Sequence, residues 1–122
     1  MSNRRGNIQN LRRGSEPDEF TGFREHLRKA RRRKFECKIT LQDLKDIWNR
    51  QNGRCVYTGI SLVHPHYKNQ IDPIYQASLD RIDSSLGYIP SNLQFVCLPM
   101  NLAKSSFNDA AMKKFIDLIR DM

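Results

Sequence analysis

The sequence has few hydrophobic residues and no long hydrophobic run. Apolar types make up 39% of the 122 residues, and the mean hydropathy is −0.68. A chain of this length suits one compact domain, so its core must be small or part of the chain must lie outside it. No run approaches the roughly 20 apolar residues that span a bilayer, and no apolar segment follows the N-terminal Met-Ser-Asn-Arg-Arg-Gly-Asn. We therefore expect no membrane association, no secretory signal and a cytoplasmic location.

Cysteine is scarce as well. Cys37, Cys55 and Cys97 make an odd number with no tight pairing in the sequence. That pattern suits a reducing compartment better than a disulfide framework. We expect all three to be small buried hydrophobic residues.

Positive charge is abundant, and most of the excess lies in the first third of the chain. Residues 1–38 contain twelve Lys or Arg against five Asp or Glu, a net charge of +7, whereas residues 39–122 contain nine against eight, a net charge of +1. A basic block of this kind is typical of a protein that binds a polyanion, although a solubilising arm has the same composition. The charge therefore favours nucleic acid as the partner.

The basic block divides into two segments. Residues 1–19 lack apolar periodicity and predict a flexible basic arm. Residues 20–38 predict a basic helix, since Phe20, Phe23 and Leu27 fall on one helical face. The side chains of this segment that we expect to contact nucleic acid are Arg28, Arg31, Arg32, Arg33 and Lys34.

Residues 39–122 predict a domain of short helices and strands. Thr40 and Asp43 form a capping-box pattern at the start of a helix, residues 54–59 suggest a short strand or knuckle, and Asn108 is a typical N-cap. Strands are predicted over 76–82 and 92–97, with a helix beginning at 99. The predicted inward side chains of the last helix are Met112, Phe115, Ile116 and Ile119. The order α-α-β-β-β-α-α gives an α+β fold class.

One segment, residues 78–104, carries a recognisable pattern. It contains Asp80-Arg81, then Asn92-Leu93, then Cys97-x-x-Met100-Asn101-x-x-Lys104. This resembles the core of the HNH (ββα-metal) endonucleases, whose pattern is Asp-His, Asn-Leu and Cys-x-x-Cys-His-x-x-Lys. The variant with Asp-Arg and a late Asn is similar to a subgroup common in phages. The resemblance extends over about residues 40–119 and implies hydrolysis of DNA phosphodiester bonds, double-stranded DNA as the main partner, and a host-cell cytoplasmic location.

The resemblance also implies roles for individual residues. Asp80 corresponds to a metal ligand, and Asn101 stands where the last His is a ligand, so both are expected to hold one Mg²⁺ or Mn²⁺ ion. Asp83 is a candidate second carboxylate ligand or base. Asn92 corresponds to a structural Asn that ties its loop to the backbone, and Lys104 is expected to reach a DNA phosphate.

Arg81 departs from the family pattern, which has the general-base His at that position. A guanidinium does not accept a proton from water near neutral pH. Either Arg81 clamps the phosphate while another group activates water, or the protein binds DNA without cutting it. His64 and His66, in the preceding loop, are the replacement bases that we consider. A basic arm does not distinguish RNA from DNA, so an RNA-binding or RNA-cleaving protein is a third possibility.

The family's structural zinc site is incomplete in this sequence. Many HNH proteins bind zinc through two Cys-x-x-Cys knuckles, which correspond here to Cys55-x-x-Thr58 and Cys97-x-x-Met100. Two thiolates do not make a closed tetrahedral site. We therefore predict no structural zinc, with apolar packing in its place.

Overall fold

The computed structural model describes residues 20–64, 71–105 and 107–122. The predicted arm, residues 1–19, and His66 lie outside the described residues. Within the described part the fold is α+β, as predicted. Its elements are α1 (Thr21–Arg32), α2 (Leu41–Arg50), β1 (Ala77–Arg81), β2 (Leu93–Cys97), α3 (Leu98–Lys104) and α4 (Asp109–Arg120), with 3₁₀ turns at Pro73–Tyr75 and Pro90–Asn92.

Two helix starts follow directly from local sequence. The backbone N–H of Asp43 donates to Thr40 Oγ1 at 3.2 Å, and the backbone N–H of Thr40 donates to the Asp43 carboxylate at 2.8 Å. At α4, the backbone N–H of Ala111 donates to Asn108 Oδ1 at 2.8 Å. Each cap satisfies N–H groups that have no partner within the helix and stabilises it by about 1 kcal/mol. Both predicted caps are confirmed.

The two strands form an antiparallel hairpin that leads straight into a helix. Asp80 pairs with Gln94 and Arg81 pairs with Leu93 at the end of β1. Helix α3 begins at the residue after β2, with a proline in its first turn. This connection places the end of β1 beside α3, and each strand is slightly shorter than predicted.

The predicted third strand at residues 54–59 does not form. Arg54 makes one isolated bridge with Ser61, and the chain between them turns tightly. The backbone N–H of Gly59 donates to the Cys55 carbonyl at 2.9 Å, and Gly59 has φ +78°, a left-handed conformation that favours glycine. The knuckle alternative describes this segment correctly, because the chain reverses within a few residues and pairs only through the Arg54–Ser61 bridge.

Helix α1 belongs to the same hydrophobic core as the rest of the described chain. The Phe23 ring lies 5.7 Å from the Phe95 ring of β2 and 5.7 Å from the Trp48 ring of α2, measured between centroids. Leu27 and Ala30 are buried with it. The predicted boundary between residues 38 and 39 therefore does not divide the core.

Helix α4 faces the core along a narrower line than predicted. Met112 and Ile116 are buried, but Phe115 is 56% exposed and Ile119 is 47% exposed. Phe115 lies about 60° around the helix axis from the buried Met112. Because α4 lies at the edge of the domain, that rotation is enough to expose the Phe115 side chain to solvent. The predicted inward orientation of Phe115 and Ile119 was wrong.

Candidate functional site

A cleft opens between the end of β1, helix α3 and the segment that follows α1. Its volume is about 590 Å³. Its lining residues are Arg33, Leu79, Asp80, Arg81, Ser84, Tyr88, Asn101, Lys104, Ser105, Phe107 and Asn108. Five residues predicted from sequence are therefore brought to one place: Arg33, Asp80, Arg81, Asn101 and Lys104. Asp80 and Arg81 alternate along β1, and both line the cleft because the strand ends at Arg81.

Asp80 is held by two donors within this cleft. Its Oδ2 accepts a hydrogen bond from Gln94 Nε2 at 2.8 Å and from Lys104 Nζ at 2.7 Å, and its side chain is only 6% exposed. In the described part of the chain no hydrogen bond reaches Asp80 Oδ1. The carboxylate is thus fixed through one oxygen and has the other available to a ligand.

Lys104 does not point towards solvent, as a phosphate contact would require. Its ammonium donates to Asp80 Oδ2, to the Arg81 carbonyl at 2.9 Å and to the Ile82 carbonyl at 3.1 Å. An ammonium has three protons, and these three acceptors use them all. The three-residue spacing predicted correctly that Lys104 lies on the same side of α3 as Asn101. Its ammonium, however, binds acceptors at the end of β1. The structure therefore does not support the predicted phosphate contact of Lys104.

A polar network that the sequence did not predict lies behind Asp80. Gln94 Nε2 also lies 3.0 Å from Tyr57 Oη, which donates to Asp109 Oδ1 at 2.5 Å. Burial and the neighbouring Asp109 carboxylate raise the pKa of Tyr57. Burial alone would raise the pKa of Asp109, but hydrogen bonds from Tyr57 and Lys113 outweigh it and lower that pKa. The sequence signal for this network was Gln94, a polar residue within the otherwise apolar strand β2.

Arg81 is engaged with the turn that follows its strand. Its Nη1 donates to the carbonyls of Ser84 at 2.8 Å and Leu86 at 3.0 Å. Its guanidinium carbon lies 3.7 Å from the centroid of the Phe35 ring, over which it stacks. Arg81 therefore organises the turn while also lining the cleft, and the guanidinium is held in a fixed orientation.

Asn92 makes the predicted tie between loop and backbone. It is 4% exposed, and its Oδ1 accepts from the backbone N–H of Asp83 at 2.9 Å. Its Nδ2 donates to the carbonyls of Asp83 and Gly87, both at 3.0 Å. One buried side chain thus satisfies three backbone groups of the loop.

Asp83 has a local role in the turn. Its Oδ1 accepts from the backbone N–H of Ser85 at 2.9 Å and from the Ser85 hydroxyl at 2.6 Å, and these bonds lower the pKa of Asp83. Asp83 is exposed and is not among the residues that line the cleft. The structure therefore does not bring Asp83 together with Asp80 as a second metal ligand.

Asn101 offers a second oxygen to the cleft. Its Nδ2 donates to Ser78 Oγ at 2.5 Å and, more weakly, to the Leu79 carbonyl at 3.4 Å. Within the described residues no donor reaches its Oδ1. No group of three or more His, Cys, Asp and Glu side chains occurs in that same part of the chain. The donor set, Asp80 and Asn101, fits a cation that keeps several water ligands, as Mg²⁺ usually does.

His64 lies away from this cleft. Its ring stacks on Trp48 with centroids 4.0 Å apart and meets the edge of Phe23 at 4.2 Å. It lines a different hollow, which also includes Lys45. Burial lowers the pKa of His64 to about 4. The structure therefore does not bring His64 to Asp80 as a base, because its ring packs against Trp48 and Phe23.

The basic end of α1 meets the cleft. Arg28 pairs with Glu25 one turn before it on the helix surface, whereas Arg31, Arg32 and Lys34 are exposed. Arg33, at the C-cap of α1, lines the cleft itself. The predicted nucleic-acid-binding residues at positions 31–34 thus form exposed positive charge that continues into the cleft.

The two buried cysteines face each other. Cys55 Sγ and Cys97 Sγ are 4.0 Å apart, and the backbone N–H of Cys97 donates to Cys55 Sγ at 3.4 Å. Met100 packs against the core beside them, and Cys37 is half-buried. Apolar packing around the incomplete knuckles is therefore present, and burial is complete for two of the three cysteines.

Comparisons with known proteins add no relative. No family model matches the sequence, and comparison with curated proteins and with solved structures gives no match. In the described ranges, every helix is too short or too polar to cross a membrane.

Proposed function

We propose that the protein is a metal-dependent DNA endonuclease of the HNH type, similar to the phage subgroup. The observation that carries the proposal is the shared cleft at the junction of the β1–β2 hairpin and α3. Asp80 and Asn101 supply oxygen donors there, and Arg33 and Arg81 supply positive charge. Hydrolysis of a phosphodiester needs this combination, because negative charge develops on the phosphate in the transition state.

Asp80 and Asn101 are the residues that would hold Mg²⁺ or Mn²⁺. Such an ion supplies Lewis-acid polarisation of a phosphate oxygen and a more acidic bound water. Gln94 and Lys104 orient the Asp80 carboxylate, and Ser78 orients the Asn101 amide. We assign Lys104 to this positioning role and not to phosphate binding.

Arg33 and Arg81 are the proposed phosphate contacts. Arg81 uses Nη1 to hold the turn, which leaves its other guanidinium N–H groups for a ligand in the cleft. A fixed guanidinium presents its donors to phosphate oxygens with less loss of side-chain freedom than a mobile one. The exposed cations at 31–34 extend this positive surface beyond the cleft, and we propose that they and the basic residues of the N-terminal arm track the DNA backbone.

The proposed mechanism also needs a general base that takes a proton from water. His64 lines another hollow, so His66 is the remaining histidine among the two candidates from the sequence. We therefore test His66 in this role.

A second candidate function is DNA binding without cleavage. The buried pair between Lys104 and Asp80 favours it, because an ammonium bound to the carboxylate opposes a cation at the same group. Arg81 in place of a histidine favours it too. RNA binding or cleavage is tested by the same assay with an RNA substrate.

A cleavage assay combined with a metal-binding measurement separates these functions. Supercoiled plasmid is incubated with wild-type protein and Mg²⁺ or Mn²⁺, and Mn²⁺ binding without DNA is measured by calorimetry. Asp80→Asn keeps the size and hydrogen-bond acceptor of the side chain but removes its charge, so we expect loss of both cleavage and Mn²⁺ binding. Asp46→Asn, at an exposed carboxylate on α2, should change neither.

The outcomes distinguish the two proposals. Wild-type cleavage that His66→Ala abolishes while Mn²⁺ binding persists supports the nuclease and its base. DNA binding with neither cleavage nor metal binding by the wild type would exclude the nuclease and favour the binding module. Preference for RNA over DNA of the same sequence would overturn the assignment of the substrate.

A further inference from the structure

Helix α4 carries a second apolar face that its own domain does not cover. Phe115 is 56% exposed, Leu118 is 57% exposed and Met122 is fully exposed. Ala111, Phe115 and Leu118 lie on α4, and Met122, two residues beyond its end, continues the spacing of four, three and four residues. Apolar side chains at this repeat form a continuous seam along one side of a helix, as in coiled coils.

An apolar hollow lies beside this seam. It has a volume of about 360 Å³ and is lined by Ala103, Phe107, Ala111, Met112, Lys114, Phe115 and Leu118. Phe107 is 61% exposed, and Leu102 of α3 is 66% exposed. A contiguous exposed apolar surface of this kind marks a site of association, whereas isolated exposed hydrophobic residues do not.

We propose that this face binds the same face of a second copy of the chain, with the two α4 helices antiparallel across a twofold axis. In the central layers Phe115 then lies opposite Leu118 of the second copy, and at each end the small Ala111 lies opposite Met122 of the second copy. A twofold interface requires such self-complementarity, since the same surface serves both partners.

The charges that flank the seam favour the same arrangement. In the antiparallel register that pairs those layers, Lys114 lies beside Asp121 of the second copy, and the contact occurs twice. A parallel arrangement would instead place Lys114 beside the uncharged Ile119 of the second copy. Within the described residues neither Lys114 nor Asp121 takes part in a salt bridge. Both charges are therefore available to set the orientation of the partner.

Other segments of this chain do not match the seam. Residues 1–19 contain three large apolar residues, Met1, Ile8 and Leu11, separated by charged and polar positions, and residues 65–70 contain only Tyr67. Neither segment supplies apolar side chains at the four-three-four spacing. The α4 helix of a second copy supplies that spacing.

Sedimentation velocity of the full chain over a range of concentrations, without DNA, tests the proposal. We expect a dimer, and we expect Leu118→Glu to weaken its dissociation constant by at least about tenfold, because a charge enters the centre of the apolar seam. Ile74→Glu is the matched control: Ile74 is 54% exposed on the Pro73–Tyr75 turn, and its substitution should leave the dissociation constant unchanged. Circular dichroism checks that both variants fold.

Charge reversal tests the orientation. Lys114→Glu alone should weaken the dimer, and Lys114→Glu combined with Asp121→Lys should restore it. A wild-type chain that stays monomeric at all concentrations, or a dimer that Leu118→Glu leaves intact, would overturn the proposal. A double variant no better than the single one would overturn the antiparallel register. None of these measurements depends on nuclease activity.

Discussion

The ammonium of Lys104 lies 2.7 Å from Oδ2 of Asp80, and both side chains are almost completely buried. The same ammonium also satisfies two carbonyls at the end of β1. A charged lysine is stable in such a place only when every proton has an acceptor and an opposite charge is near. This pair therefore joins the strand to α3 and at the same time fixes the orientation of the carboxylate in the cleft.

Breaking that pair should strongly destabilise the fold. Lys104→Met leaves a buried carboxylate and two strand-end carbonyls without their donor, so we expect the free energy of unfolding to fall by about 3–5 kcal/mol. Urea unfolding followed by circular dichroism measures the change. Lys113→Met is the control, because its ammonium lies 3.0 Å from Asp109 but is 60% exposed; we expect a loss below about 1 kcal/mol there. Equal losses for the two variants would show that burial does not strengthen the Lys104 pair.

Asn92 should be nearly as important for the loop between the strands. Asn92→Ala leaves the N–H of Asp83 and two carbonyls without a partner, and we expect a loss of about 2–4 kcal/mol in the free energy of unfolding. Hydrogen exchange should speed up at the Asp83 amide. Asn49→Ala, at an exposed position of α2, should cost less than about 0.5 kcal/mol. An unchanged Asp83 exchange rate would contradict the proposed tie.

Local patterns predicted much of the fold. The capping box at Thr40 and the cap at Asn108 are short-range features, and hydrogen bonding between residues three apart determines them. The two strands followed from their local residue pattern, and the resemblance assigned Asn92 its tie. These predictions succeeded because each depended on neighbouring residues or on one compact segment.

Predictions that depended on long-range packing were less successful. His64 was a candidate base, but its ring packs against Trp48 and Phe23, which are distant in sequence. Lys104 was expected to reach outward, yet the end of β1 supplies three acceptors within its reach. Nothing in the sequence places Asp109 beside Tyr57. Such contacts depend on the relative placement of elements, which helical and strand periodicity do not determine.

Two histidines should make the stability of the protein depend on pH. Burial lowers the pKa of His26 and of His64 from 6.5 to about 4, and each has a buried ring nitrogen without a partner in the described part of the chain. Between pH 6.5 and 4 these two histidines bind protons in the unfolded state but stay largely neutral in the folded state. The stabilisation is therefore complete above pH 6.5 and is lost as the pH falls towards 4.

Denaturant unfolding at several pH values measures this effect. We expect the free energy of unfolding to fall by about 2–3 kcal/mol between pH 6.5 and 4 from His26 alone, with a smaller share from the more exposed His64. His64→Phe retains an aromatic ring against Trp48 and removes the titrating group, so its pH profile should be flatter than that of the wild type. A variant profile parallel to the wild-type profile over this range would show that His64 does not titrate in this way.

The incomplete knuckles should accept zinc once their missing ligands are supplied. Cys55 Sγ and Cys97 Sγ are already 4.0 Å apart, and Thr58 and Met100 each stand three residues after one of these cysteines. The double variant Thr58→Cys with Met100→Cys therefore presents four thiolates from two turns, the ligand set of a closed structural zinc site. We expect it to bind one Zn²⁺ per chain and to unfold at a higher temperature with zinc than with a chelator.

The single variants are the controls for this experiment. Thr58→Cys and Met100→Cys alone each give three thiolates, so we expect weaker zinc binding and a smaller rise in the melting temperature than in the double variant. Native mass spectrometry measures the zinc content, and thermal unfolding with and without chelator measures the coupling to folding. A double variant that folds but binds no zinc would show that the turns after Cys55 and Cys97 cannot bring four sulfurs to one point. The backbone of these two segments would then differ from that of a zinc site, in addition to the natural Thr58 and Met100 in place of cysteine.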